Sequence, residues 1–175
     1  MEYRKLNYEE INRNLFNNFK RRQEVTKCWR KEDGKWIIKD VPFIDDWNEE
    51  EYKVLIKYLK NTIETKGVVY GAFIDDKLKG FASVEYGFID KNNISFDLSS
   101  LHVSEDMRGH GIGKSLFQMA AKWAKESGAK KLYISSHSSV ETQKFYKAMG
   151  CTEALEYNAS HVEREPFDCQ LEYIL

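Results

Sequence analysis

Proline is nearly missing from this sequence, two residues in 175, and no stretch is dominated by glycine and serine. Composition therefore marks no flexible linker, low-complexity tract or internal repeat. No apolar run approaches the roughly 20 residues of a membrane-spanning helix, so no membrane partner is expected. The opening residues, Met1-Glu2-Tyr3-Arg4-Lys5, lack the apolar core of a secretory leader. Cysteine is scarce and odd in number. Cys28, Cys151 and Cys169 show neither CxxC nor zinc-type spacing, which points to idle thiols of a cytoplasmic protein rather than a disulfide framework. The histidines at 102, 110, 137 and 161 also lack ligand spacing, so no metal is expected. Neither sign of charge prevails: 27 Lys and Arg face 28 Asp and Glu, a net charge of −1. That excludes a nucleic-acid binder held mainly by phosphate contacts.

What is present is enough apolar matter for one core. Hydrophobic residues make up 42% and aromatics 14%, as in a globular domain. Apolar residues at 8, 11, 15, 16 and 19 predict a helix over 8–19. Residues 25–39 read as extended, turning at Glu32-Asp33-Gly34. Asp46 or Asn48 can cap a helix whose apolar face is Tyr52, Leu55, Ile56, Leu59 and Ile63. Two strands, 68–74 and 78–86, are joined at Asp75-Asp76-Lys77. After a turn at Asn92-Asn93, a strand over 94–103 leads to a glycine-rich loop and then a helix to about Ser127, with Leu116, Phe117, Ala120, Trp123 and Ala124 inward. A short strand at 132–135, a helix at 139–149 ended by Gly150, and strands at 152–157 and 167–175 complete the order. This order predicts an α/β (α+β) domain with a mixed sheet.

The glycine loop, Arg108-Gly109-His110-Gly111-Ile112-Gly113, is the most informative segment. Glycines remove Cβ atoms where backbone must approach a ligand, and the following helix offers free N–H groups and a positive dipole end to a phosphate. Two phosphate loops fit poorly. A P-loop would need glycine where Arg108 stands, although Gly113-Lys114-Ser115 completes its ending. The dinucleotide fingerprint would place its third glycine at Lys114 or Leu116.

Arg-x-x-Gly-x-Gly directly after a Leu-x-x-Leu-x-Val strand resembles the acetyl-CoA loop of the GNAT N-acetyltransferase superfamily. The segment Ser139-Val-Glu-Thr-Gln-Lys-Phe-Tyr-Lys-Ala-Met-Gly-Cys151 is similar to that family's second cofactor segment. Ser139 and Thr142 stand where Asn and Ala are common, and Cys151 reads as a small core residue rather than a nucleophile. The resemblance covers roughly residues 72–175. It implies a mostly antiparallel central sheet flanked by helices, with a splayed parallel strand pair forming the cofactor slot. It also implies a division into residues 1–66, the variable acceptor side, and 67–175, the acetyl-CoA-binding core.

The implied reaction is direct acetyl transfer from acetyl-CoA to a primary amine of a small molecule or peptide. Gly109, His110, Gly111, Ile112, Gly113 and Lys114 would surround the pyrophosphate through backbone N–H groups, with His110 pointing to solvent. Arg108 would touch phosphate or cap the loop. Leu101, His102 and Val103 would pair with the amide-rich pantetheine arm as an added strand, and one of their N–H groups could polarise the thioester carbonyl. Ser139 and Thr142 would also face the cofactor. Tyr146 matches the position of the acid that protonates the leaving thiolate. For a base the first choice is Asp97 and the second Glu85; a carboxylate near a strand end is otherwise a solvated group. Without a bulge His102 falls on the opposite face from Asp97 and Ser99, and the family resemblance makes a bulge an expected feature here. A homodimer is an expectation of the resemblance alone.

On the acceptor side, Trp29, Trp36 and Trp47 with Asp45 and Asp46 read either as an aromatic, acidic site for a cationic amine or as core filling, the latter favoured. Residues 158–166 read as a loop over the acceptor pocket. Two other functions fit parts of the pattern: a non-catalytic acyl-CoA-binding module, and a nucleotide-binding phosphotransferase using the near-P-loop.

Overall fold

The computed structural model describes residues 1–175. Nine strands and four helices follow in chain order: β1 (Glu2–Lys5), β2 (Gln23–Glu32), β3 (Lys35–Asp45), α1 (Glu49–Glu64), β4 (Val68–Ile74), β5 (Lys77–Val84), β6 (Ser95–Val103), α2 (Ile112–Glu126), β7 (Lys131–Ser136), α3 (Val140–Met149), β8 (Thr152–Glu153), α4 (Ala159–Arg164) and β9 (Cys169–Ile174). Seven strands form one sheet in the order β1-β4-β5-β6-β7-β9-β8, and β2 pairs with β3 as a separate hairpin. Only β6 and β7 are parallel. The fold class expected from the sequence is therefore the one present.

Local chemistry sets most of these elements. Asn48 caps α1 in a reciprocal box, its side chain accepting from the Glu51 N–H while Glu51 reaches back to the Asn48 N–H. The β4–β5 turn places Asp75 and Asp76 at φ +48° and +60°, the pair of positive values a tight two-residue hairpin requires. The two faces of the sheet bury different helices. α2 lays Leu116, Phe117, Ala120 and Ala124 on the face formed by Ala82, Val84, Phe96 and Leu98, while α1 sets Tyr52 and Leu59 against Val69, Phe73 and Phe81 on the other. Each fully buried Phe, such as Phe81, Phe96 or Phe117, contributes about 1.5–3 kcal/mol by leaving water. Gly80 sets how closely α2 approaches: a Cβ there would stand 2.6 Å from Ile112 Cγ2 and 2.9 Å from Leu116 Cδ1.

Several expectations need correction. The stretch 8–19 is a series of turns with a short 3-10 helix at Arg13–Phe16. Asparagine side chains win the backbone groups there: Asn7 Oδ1 accepts from the Glu10 N–H and Asn12 Oδ1 from the Asn14 N–H. The apolar residues still reach the core, with Ile11, Phe16 and Phe19 buried. The strand expected at 152–157 ends at Glu153. Residues 158–166 hold α4, capped by the Asn158 side chain, where a loop was expected. Strand β1 had no counterpart in the sequence reading; it pairs with β4 at the sheet edge.

Candidate active site

Parallel pairing of β6 and β7 covers only three residue pairs, Ser95–Lys131, Phe96–Leu132 and Asp97–Tyr133. Beyond them β6 continues with β5 and β7 with β9, so the two strands part and leave one edge of residues 98–103 unpaired. A cleft of about 540 Å³ opens at the parting, within the size range of small-molecule sites. Leu101, His102 and Val103 of β6 line it, with Arg108, Gly109, Gly111, Ile112, Gly113 and Lys114 of the loop and α2, and with Thr142, Phe145 and Tyr146 of α3.

The loop has the backbone its glycines permit. Gly109 and Gly111 sit at φ +82° and +79°, values that carry strain for residues with a Cβ. Gly111 is the N-cap of α2, and the first intrahelical bond runs from the Ser115 N–H to the Gly111 carbonyl. The N–H groups of Ile112, Gly113 and Lys114 therefore have no helical acceptor, at the positive end of a 15-residue helix. Arg108 is extended (φ −66°, ψ 151°), not the glycine conformation a P-loop start would supply. Its guanidinium donates to the Arg22 carbonyl at 2.7 Å, tying the loop to the approach to β2. His110 is exposed and outside the cleft lining, its Nδ1 3.0 Å from the Arg108 carbonyl. Ser139 is the N-cap of α3 and bonds to the Thr142 N–H and hydroxyl. It shapes the helix start, and Thr142 is the member of the pair on the cleft.

Tyr146 is 7% exposed. Burial first, with Cys151 and Asp168 adding, holds its phenol proton above the ordinary tyrosine range. The group stays protonated at neutral pH, as a proton donor must. Phe145 stands beside it, ring centroids 5.1 Å apart. Cys151 is buried and its thiol pushed up to about 12 by burial, a core residue and no thiolate. His102 packs between Trp47 (4.8 Å) and Phe81 (5.2 Å). Burial, then Arg21 and Arg108, push its imidazole down to about 3, so it is neutral.

The face of the splay toward α1 is polar. A bulge between the pairs Ser83–Ser100 and Val84–Leu98 makes Ser99 an extra residue of β6. It brings His102 to the same side as Asp97 and Ser99, reversing simple alternation. Asp97 is sealed: Oδ2 meets His161 Nε2 at 2.9 Å, and Oδ1 is buried without a partner. Glu85 Oε1 accepts from the Thr62 hydroxyl at 2.6 Å and the Ser99 hydroxyl at 2.7 Å. Neither carboxylate lines the cleft. Asp168, absent from the sequence candidates, lies on this face and accepts from the Ser135 hydroxyl at 3.0 Å; it too is outside the cleft lining.

The sequence reading also missed Arg21, Gln23, Glu24, Met107, Glu141 and Met149, all on the cleft. Arg21 pairs with Asp45 at 2.5 Å and lies 4.8 Å over the Trp47 ring. The loop motif could not signal it, because it arrives from a separate part of the chain. Trp29 and Trp36 pack on the α2-side core and Trp47 on the α1-side core, the core-filling alternative. No helix is long and apolar enough to cross a membrane.

Among solved structures the chain resembles nourseothricin acetyltransferase (TM-score 0.65, 19% identity, covering 98% of this chain and 95% of that one). It also resembles a Bacillus anthracis protein assigned as a streptothricin acetyltransferase and solved with acetyl coenzyme A (TM-score 0.70, 18% identity, 99% and 98%). A third is the PaiA N-acetyltransferase of Thermoplasma acidophilum with coenzyme A (TM-score 0.62, 19% identity, 99% and 98%). At such identities the likeness shows the fold. No curated protein sequence matches the chain. A sequence model described as Acetyltransferase (GNAT) family matches residues 9–151, and with it the strand, glycine loop, α2, β7 and α3 described above. The chain belongs to the GNAT acetyltransferase family.

Proposed function

We propose that this protein transfers the acetyl group of acetyl-CoA to a primary amine of a small molecule or peptide, by direct attack while both substrates are bound. The observation that carries this reading is the splay of β6 from β7, with the glycine loop and the α2 N-terminus at its mouth and Tyr146 on its wall. The residues suit acetyl-CoA. Three unpaired N–H groups in a loop whose glycines leave open space at 109 and 111 match a diphosphate, and the free edge of β6 matches an amide-bearing arm. The acyl group would then reach the parting of the strands. Tyr146 would hand its proton to the departing sulfur, and a backbone N–H of β6 would steady the carbonyl oxygen. Residues 1–66 supply the β2–β3 hairpin and α1 on the acceptor side, and residues 67–175 the cofactor core.

Titration with acetyl-CoA by calorimetry, with ATP and magnesium as control, tests the first half. Micromolar acetyl-CoA binding without ATP binding supports the reading, and the reverse overturns it. Thiol release in the presence of amines tests the second half. Nourseothricin and streptothricin, after which two structural neighbours are named, are the first to try. Binding with no thiol release from any amine would leave an acyl-CoA-binding module.

A further inference from the structure

Tyr146 accounts for a proton given to sulfur, but a lysine-like amine is about 99.9% protonated at neutral pH, so a proton must also be removed. Asp97 is covered by His161, and Glu85 is held by two hydroxyls. Asp168 is placed differently. It precedes β9, whose Cys169 and Gln170 lie opposite Ser136 and Ser135. That puts it at the end of β7, past the point where the strands part. Ile134, Cys169 and Leu171 turn into the α2-side core, so alternation turns Ser135, Asp168 and Gln170 to the acceptor face.

A hydrogen-bond chain orients the carboxylate. The Tyr133 hydroxyl accepts from the Asn158 N–H at 2.9 Å and donates to Gln170 Oε1 at 2.5 Å. Gln170 Nε2 donates to Ser135 Oγ at 3.0 Å. The single Ser135 proton then goes to Asp168 Oδ2, also at 3.0 Å. Gln170 is 1% exposed, so its amide direction is fixed by these partners. Oδ1 of Asp168 takes no hydrogen bond from the chain, on a half-buried side chain. Asp168 lies behind the cleft lining rather than in it, next to it through Tyr146, whose phenol its charge helps keep protonated. We propose that Asp168 is the general base of the acetyl transfer proposed above, taking the acceptor's proton while Tyr146 serves the leaving sulfur; this rests on that reading of the function.

The surroundings suit the task. Glu165 and His161 face Asp168 from α4 and its C-cap, Tyr146 from α3 and Ser135 from β7, and Arg30 of β2 lies over the neighbouring Phe167 ring. Burial raises the carboxyl most, the Ser135 hydrogen bond lowers it, Glu165 raises it and His161 lowers it, leaving it at about 6. That is close to an efficient base at neutral pH. The step balances. The ammonium proton passes to Asp168 and on to solvent. The freed nitrogen lone pair forms the C–N bond, and the C–S pair leaves on sulfur. Tyr146 protonates the sulfur and recovers a proton from the second N–H, giving an acetylated amine, CoA thiol and one released proton.

The test uses Asp168→Asn in the full chain, with streptothricin as amine and thiol release as readout. The expected result is a kcat lowered about 100-fold or more, an acetyl-CoA Kd within twofold of wild type, partial recovery in Asp168→Glu, and loss of the acidic limb of the pH–rate profile near pH 6. A kcat within threefold of wild type overturns the proposal. Carbon-13 titration of aspartate-labelled protein with CoA present gives an independent answer when streptothricin is not a substrate. A carboxyl absent from Asp168→Asn and titrating near pH 6 supports the role, and one titrating near pH 4 overturns it. Failure of wild type to bind acetyl-CoA is instead the failure of the acetyl-transfer reading.

Discussion

The two sides of the splay are made of different materials. Toward α2 the site is mostly backbone: positive-φ glycines, a helix N-terminus and an unpaired strand edge, with Phe145 and Tyr146 as walls. Toward α1 it is mostly side chains: the pairs Asp97–His161, Glu85–Ser99 and Asp168–Ser135, drawn from β6, β7, α4 and the residues just after β5 and just before β9. Under the proposed function, backbone groups would serve the part of the ligand that never changes. Side chains can be exchanged one at a time without disturbing the frame, so under that function the second surface is where an acceptor would be selected.

If that division holds, changes on the first side alter acetyl-CoA affinity and changes on the second alter turnover, with Tyr146 between them. The largest expected effect is Tyr146→Phe: kcat falls about 100-fold while the calorimetric Kd for acetyl-CoA stays within twofold. An affinity loss of the same size would place Tyr146 with the binding surface. Next is Gly111→Ala. Its Cβ meets nothing within 4 Å, so the cost is conformational, about 1–2 kcal/mol at positive φ. Displacement of the amides should weaken acetyl-CoA about tenfold; unchanged affinity would show that the loop's backbone is not the anion site.

A smaller effect tests the second side through stability. The Asp168 carboxyl is raised from 3.8 to about 6, so the folded form holds its proton more tightly than the unfolded chain. Stability from this group is complete below pH 4 and is lost as pH rises through 6. Asp168→Asn should therefore raise Tm at pH 8 by about 2–4 °C, equivalent to about 1 kcal/mol after allowance for solvent screening of a half-buried side chain, and change it little at pH 4. An equal gain at both values would mean that the charge is not the cause. Smallest is Lys114→Ala. The side chain is exposed at the cleft edge, so acetyl-CoA should bind only two- to threefold more weakly, with the difference vanishing at high salt.

The same division decided what could be seen in the sequence. The loop, α2, β7 and α3 follow one another in a single stretch of chain, and each loop glycine has a local reason, so the residues that line this side of the cleft, down to Thr142 and Tyr146, could be singled out from the sequence. The hairpins were legible too, because turn residues such as Asp75-Asp76 act on their neighbours. The acceptor side was not. Asp97 and Glu85 look alike as strand carboxylates, and only the tertiary structure shows one closed under His161 and the other tied to Thr62. Asp168 had a faint signal, a carboxylate directly before the strand that closes the sheet beside β7. Its neighbours Ser135 and Gln170 come from different strands, and period-2 reading within one strand cannot join them. The helix expected at 8–19 failed for a local reason: its apolar spacing serves burial equally well in turns, and asparagines supply the turns.

The early parting of β6 and β7 puts free strand edges in the middle of a sheet rather than at its border. Exposed edges invite pairing with other chains, but these are recessed. The β2–β3 hairpin is stitched across the region by the Trp29 N–H to the Ser138 carbonyl at 2.8 Å and by a bridge between Cys28 and Ser139, and α3 walls the cleft from the other side. The sheet is thus interrupted between β6 and β7, at an inner position rather than at its border.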